Sequence, residues 1–210
     1  MIKIAIIDYG MGNLKSVHNA FRKVGADPII TRSEKEISEA HGLVLPGVGA
    51  FPKAIRNIES LGIDRVIKKE INKRNKPLLG ICLGMQLLST KSYEGGEHKG
   101  LSLIEGTVKK IPTRDSLRLP HIGWNDIINK DNCPLFENID TGKSFYFVHS
   151  YFFDTNEKYI SLKVNYGGYI TAAIQKDNIF GVQFHPERSQ TSGLRCISNY
   201  VKLISKIKKC

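Results

Sequence analysis

Three apolar runs in the first half of the chain each end at a glycine-bearing turn and lead into a helical pattern. The stretch Ile2–Asp8 passes through Tyr9-Gly10-Met11-Gly12-Asn13 into a helical segment from Leu14 to Val24. Leu43-Val44-Leu45 ends in Pro46-Gly47-Val48-Gly49, and the helical pattern Pro52–Ser60 follows. Pro77-Leu78-Leu79 enters Gly80-Ile81-Cys82-Leu83-Gly84 and passes at once into Met85-Gln86-Leu87-Leu88. Short continuous apolar runs read as strands buried on both faces, and strands alternating with helices of this length read as parallel crossovers. A further strand at Pro28–Thr31 and a helix over Asp64–Asn75 complete the scheme. The expected fold is α/β, a mostly parallel sheet flanked by helices, with functional groups gathered beyond the carboxyl ends of the strands.

The second half changes character. Leu103–Ile111, Phe145–Phe153, Tyr159–Val164, Tyr169–Gln175 and Ile179–Phe184 read as strands joined by turns, and a closing helix covers Ser192–Ile207. With no repeat and no long linker, this predicts an antiparallel extension of the same core and a single domain spanning residues 1–210.

The third apolar run carries the chemistry. A glycine-flanked cysteine between a buried strand and a helix matches the elbow that lifts a nucleophile clear of a sheet. The glycines permit the close strand-to-helix approach that a Cβ would obstruct. The start of a helix also favours thiolate over thiol. Taken alone, the same five residues fit a small, inert core cysteine equally well.

A thiolate nucleophile needs a base and a group to orient that base. Val182-Gln183-Phe184-His185-Pro186-Glu187 offers both, since residues two apart in an extended segment project to one side. His185 is the candidate base and Glu187 its orienting acid; His121 and His149 compete for the first role. Acyl transfer also needs donors for an oxyanion. The backbone of Gly47-Val48-Gly49 and the N–H of Leu83 supply candidates. Gly10-Met11-Gly12 lacks the third glycine of a dinucleotide fingerprint.

The net charge of +11 raises the question of a nucleic-acid partner. The basic residues fall within helical segments, such as Asp64–Lys76 and Lys202–Lys209, among acids and apolar residues, with no aromatic-interleaved stripe. They read as solvated helix faces, and no nucleic acid is expected. Cys82, Cys133, Cys196 and Cys210 are scattered without a CxxC pair, and no apolar segment approaches membrane-spanning length. A reduced, cytoplasmic chain with no membrane contact is expected.

The combination of Gly80–Gln86, Phe184-His185-Pro186-Glu187 and Pro46–Gly49 resembles class I (triad) glutamine amidotransferases. Asp8–Asn13, His98–Leu101, Leu119–Asn125 and Tyr146–Tyr151 are similar to the glutaminase subunits of imidazole glycerol phosphate synthase, in consistent order over nearly the whole chain. The resemblance implies a flavodoxin-like amidotransferase domain without cofactor or metal. It implies that Cys82 attacks the side-chain amide of L-glutamine, with His185 as base and acid and Glu187 orienting it. Val48, Gly49 and Leu83 would form the oxyanion hole, and Gly47, Gly49, Gln86, His149, Ser150 and Tyr151 would hold glutamine. Ammonia would pass to a (β/α)8-barrel synthase (cyclase) subunit in a heterodimer that makes imidazole glycerol phosphate and AICAR in histidine biosynthesis. Met11, Asn13, His121, Trp124, Asn125 and Arg188 would face that partner, with arginine at a position where the family usually has lysine. Without the partner the chain would be a poor glutaminase.

Tyr166-Gly167-Gly168-Tyr169 and Ser189–Gly193 are similar to paralogues in bacterial surface-sugar loci, in which the ammonia amidates a nucleotide sugar. A stand-alone cysteine hydrolase or peptidase, and a non-catalytic binding module, are the readings of other classes.

Overall fold

The computed structural model describes residues 1–112, 117–129 and 133–208, so Lys209 and Cys210 lie outside the described residues. β1 (Lys3–Ile7) buries Ile4 through Ile7, as expected for a strand covered on both faces. α1 (Leu14–Lys23) turns Val17, Ala20 and Phe21 inward and places Arg22 and Lys23 in its last turn, where cations complement the helix dipole. β2 (Asp27–Thr31) and the short α2 (Glu34–Glu39) follow. α2 was not foreseen, because six residues with one buried side chain, Ile37, show no period. β3 (Gly42–Gly47), α3 (Phe51–Ser60), α4 (Ile63–Arg74), β4 (Leu78–Cys82) and α5 (Leu83–Leu87) complete the parallel half. Glu70 on α4 is fully buried and paired with Lys76 at 2.8 Å.

The second half begins with β5 (Lys91–Ser92), β6 (His98–Lys99), β7 (Gly106–Lys110) and β8 (His121–Asn129). It continues through β9 (Ser144–His149), β10 (Tyr151–Thr155), β11 (Ile160–Asn165), β12 (Tyr169–Lys176) and β13 (Ile179–Val182) to α6 (Gln190–Ile207). Among the described residues the strands form a nine-stranded sheet, β2-β1-β3-β4-β13-β12-β11-β8-β9, and a four-stranded sheet, β10-β7-β5-β6. The antiparallel extension therefore continues the parallel sheet, as expected.

The expected single strand Phe145–Phe153 is broken at Ser150 into β9 and β10, which belong to different sheets. Phe145 and Phe147 enter one core and Phe153 the other. An unbroken run of strand-forming residues carries no mark of the layer each side chain chooses. β8 was also missed, since Ile122 and Trp124 stay exposed along it. The two cores cover opposite faces of the large sheet, one under α1 and α6, the other under α3 and α4. The Tyr200 hydroxyl on α6 lies 2.7 Å from the carbonyl of Leu43 and 2.9 Å from that of Pro77, tying the last helix to the sheet. No described helix is long and apolar enough to cross a membrane.

β1, β3, β4 and β13 all run parallel. Their carboxyl ends deliver the loops at Gly10–Asn13, Pro46–Gly49, Cys82–Leu83 and Gln183–Glu187 to one edge of the sheet.

Candidate active site

Cys82 ends β4 with φ 53° and ψ −110°, backbone angles that a residue with a Cβ rarely adopts. The flanking glycines explain how this turn closes. A Cβ on Gly84 would lie 1.7 Å from the Leu45 carbonyl oxygen, and one on Gly80 would lie 2.7 Å from that of Gly84. The elbow expected from the sequence is present, but α5 spans only five residues. The dipole favouring a thiolate thus reduces to the N–H groups of one turn.

The strand beside β4 supplies the base. β13 pairs in parallel with β4 so that Val182 stands opposite Ile81, and the next residue, Gln183, lies beside Cys82. Two residues on, the His185 ring carries Nδ1 2.8 Å from Glu187 Oε1. His185 is extended at φ −96° and ψ 95°, while Glu187 sits in a single 3-10 turn, Pro186–Arg188. The carboxylate thus reaches the ring from a turn rather than along an extended segment, with Pro186 at the first helical position, which its fixed φ suits. Burial opposes a charge on His185, but hydrogen bonds to Cys82 and Glu187 and their negative charges overcome it and raise the pKa to about 10. Ser189 steadies the same segment. Its hydroxyl donates to the His185 carbonyl at 2.6 Å and accepts from the Tyr146 N–H at 3.0 Å. Nothing in the local sequence pattern distinguishes this serine.

The competing histidines are engaged elsewhere. His149 Nδ1 donates to the Tyr151 carbonyl at 2.8 Å, which leaves its Nε2 to accept from His121 Nδ1 at 3.0 Å. Burial drives both pKa values down, to about 4 for His121 and about 3 for His149. His121 is stacked between Phe147 and Tyr166. It is buried, so it does not present itself at the surface as a partner-facing residue would.

Cys82 and His185 open into a cavity of about 270 Å³. Val48, Gly49 and Leu83 line it, as do Gln86, His149, Ser150 and Tyr151. Gly47 is not among the lining residues; it packs instead against the Tyr9 hydroxyl. Gln86 Nε2 spends both of its hydrogens internally, on the Tyr151 carbonyl at 2.9 Å and on Gln183 Oε1 at 3.1 Å. Glu94 also lines the cavity and was missed, because it lies in a loop without a motif. Its carboxylate accepts the Phe51 N–H at the start of α3 at 3.0 Å, and burial raises its pKa.

On the outer side, Trp124 is 48% exposed and Ile122 60% exposed, so the tryptophan lies at the surface. The Arg188 guanidinium lies over the Tyr146 ring at 5.6 Å. Asn125 donates to the Asn165 carbonyl at 2.9 Å. A Cβ on Gly49 would lie 2.8 Å from Met11 Cε, and Asn13 precedes α1 without capping it through its side chain. Among the described residues no cluster of His, Cys, Asp and Glu has the makings of a metal site.

A family model described as glutamine amidotransferase class-I matches residues 5–202. The chain is 44% identical over 200 residues to "Imidazole glycerol phosphate synthase subunit HisH 1" of Campylobacter jejuni strain RM1221, covering 95% of this chain and 100% of that protein. It is 48% identical over 202 residues to the HisH subunit of Caldanaerobacter subterraneus subsp. tengcongensis, covering 96% and 98% of the two chains. Among solved structures, one described as a glutamine amidotransferase superposes with a TM-score of 0.76 at 17% identity, covering 96% of this chain and 98% of that one. PurLQS from Thermotoga maritima superposes with a TM-score of 0.72 at 18% identity and the same coverage. At these identities the two structures speak for the fold alone.

Proposed function

The chain belongs to the class-I glutamine amidotransferases, and from that premise we propose that it is the glutaminase subunit of an imidazole glycerol phosphate synthase. The observation that carries this reading is Cys82 on its elbow, lining one cavity with a His185 ring that Glu187 holds through Nδ1. With the proton held on His185, the Cys82 thiolate adds to the side-chain carbonyl of glutamine. Backbone N–H groups at Val48 or Gly49 and at Leu83 receive the developing oxyanion, an interaction whose loss costs about a hundred- to a thousandfold in rate. His185 returns its proton to the leaving nitrogen, ammonia departs, and a glutamyl thioester remains. Water, activated by His185, then releases glutamate and restores the thiol. Glu187 keeps the imidazole in the tautomer these transfers need.

The cavity suits the rest of glutamine. The Glu94 carboxylate is the complement for an α-ammonium group, while the backbone at Ser150 and Tyr151 offers donors for the α-carboxylate. The ammonia acceptor belongs to a (β/α)8-barrel partner. Exposed Trp124 and Ile122 on β8 form the apolar anchor for that contact, with Met11, Asn13, Asn125 and Arg188 at its margin.

The test is to purify the chain with the barrel subunit from the same cell and measure glutamate release and ammonia-dependent product formation. Cys82→Ala is expected to abolish both; retained turnover in that variant would sink the assignment. Hydrolysis of peptide esters by the chain alone would favour a stand-alone hydrolase instead.

A second reading keeps the chemistry and changes the acceptor to a nucleotide sugar. It is favoured by the numbered names of two relatives, HisH 1 of Campylobacter jejuni and HisH 2 of Vibrio vulnificus, which point to more than one such subunit in a cell. The barrel partner's product decides between the two.

A further inference from the structure

We infer that Gln183 is a fourth catalytic residue, whose side-chain amide donates to Cys82 Sγ and holds the thiolate in line for attack. The inference deepens the reading of Cys82 as the nucleophile and rests on it.

The placement is a consequence of register. With Val182 opposite Ile81 in the parallel β13–β4 pair, the first residue past β13 falls beside the last residue of β4. Gln183 is fully buried there, and its Nε2 lies 3.7 Å from Cys82 Sγ, within reach for a donor to the larger sulfur atom. Its backbone N–H is already used by the Ala172 carbonyl at 2.8 Å, which anchors the residue to β12.

The direction of the amide is fixed by a chain of donors and acceptors. The Tyr151 carbonyl can only accept, so the Gln86 atom 2.9 Å from it is nitrogen. The same nitrogen lies 3.1 Å from the Gln183 side chain, whose facing atom must therefore be oxygen. That leaves the Gln183 nitrogen for the sulfur. Flipping either amide would set N–H against N–H or oxygen against oxygen in a buried site, a costly arrangement. The Tyr151 carbonyl is held in turn by His149 Nδ1 at 2.8 Å, and His149 by His121 at 3.0 Å. An uninterrupted set of hydrogen bonds thus runs from the histidine pair to the nucleophile.

The chemical consequence concerns the ionised sulfur. Val148 presents a carbonyl oxygen 3.8 Å from Cys82 Sγ, which accepts from a thiol and repels a thiolate. The Gln183 N–H does the reverse. It gives the thiolate a donor held in place by the sheet, beside the positive charge of His185. Gln183 does not line the cavity, so its contribution falls on the reacting sulfur rather than on the binding of glutamine.

The test compares the parent chain with Gln183→Met and Gln183→Glu, both close in size, in complex with the barrel partner. The rate of Cys82 alkylation by iodoacetamide at pH 7 and the kcat for glutamine are expected to fall about ten- to a hundredfold in Gln183→Met, the range for a hydrogen bond to a charged group, with KM within about threefold. Gln183→Glu, which sets an oxygen against the sulfur, is expected to fall further. Variants that melt like the parent yet alkylate and turn over like it overturn the proposal. If a variant fails to fold, the side-chain amide resonances of Gln183 in the Cys82→Ala chain decide the matter. A clear shift relative to the parent supports the bond, and an unmoved resonance overturns it. Alkylation needs no glutamine, so a parent chain that reacts with iodoacetamide but never hydrolyses glutamine would defeat the functional reading and leave this test standing.

Discussion

Replacing Gly47 with alanine probes how tightly the loop beside the nucleophile is built. Gly47 stands opposite Cys82 in the β3–β4 register, and a methyl group there would lie 2.2 Å from the Tyr9 hydroxyl, 3.0 Å from Leu83 Cβ and 3.2 Å from the Gly84 nitrogen. The last contact is backbone and the middle one sits on the elbow, so neither yields easily. Overpacking of a filled interior costs about 1–3 kcal/mol, and an overlap of this size belongs at the upper end. Tyr9 is fully buried, and its hydroxyl has no hydrogen-bond partner among the described residues. Burial, and secondarily the charge of Cys82, push its pKa up. An orphaned buried hydroxyl costs about 1–3 kcal/mol, so Tyr9→Phe is expected to be neutral or to stabilise by about 1 kcal/mol. In the Gly47→Ala/Tyr9→Phe double variant the worst overlap is gone while those with Leu83 and Gly84 persist. About half of the alanine penalty should return, a coupling of about 1–2 kcal/mol. Urea unfolding followed by Trp124 fluorescence measures all four corners of the cycle. Additivity within about 0.5 kcal/mol, or a Tyr9→Phe variant destabilised by more than about 1 kcal/mol, would refute the reasoning.

Among the described residues, Lys76→Met leaves the fully buried Glu70 carboxylate with Arg74 alone, 3.5 Å away and half exposed. A loss of about 3 kcal/mol in urea unfolding is expected, and a loss below about 1 kcal/mol would contradict the pairing. His121 and His149 are held neutral with pKa values of about 4 and about 3, below the unfolded value of 6.5. The unfolded chain therefore binds more protons between those limits, and stability should fall as pH drops from about 6.5 towards 4. His121→Phe should flatten that slope, whereas urea midpoints that do not change between pH 7 and 5 in the parent would show that the pair is not buried neutral. His185, raised to about 10, works in the opposite sense. Its contribution is full below about 6.5 and is lost as pH climbs towards 10, so Glu187→Gln should lower the NMR titration midpoint of the His185 ring. A midpoint unchanged by that substitution would remove Glu187 as the orienting group.

Much of the fold was legible locally. The apolar runs at Ile4–Ile7, Leu43–Leu45 and Leu78–Ile81 are buried on both faces, so each run is unbroken in the sequence and each marks a parallel strand. The glycines around Cys82 announce themselves for the same reason, since the backbone contacts that exclude a Cβ there arise within a few residues or between adjacent strands. The elbow cysteine and the loop at Gly47–Gly49 are legible on that basis, while the His185–Glu187 pair follows from a spacing of two that the structure realises through a turn rather than an extended segment.

What the tertiary structure decided depends on pairings far apart in the chain. Only the register of β13 against β4 brings Gln183 and His185 to Cys82, about a hundred residues away, and sets Gln183 against the sulfur. Only the division into two sheets breaks the strand at Ser150 and turns the backbone at Tyr151 towards Gln86 and His149. Burial removed His121 from the surface, and loop placement brought Glu94 into the cavity. The sequence determines which residues have the chemistry, because residue type and local period are written along the chain. Which of them meet is settled by strand register and layer choice, which depend on the burial of both partners in a pairing and so on segments far apart in the chain.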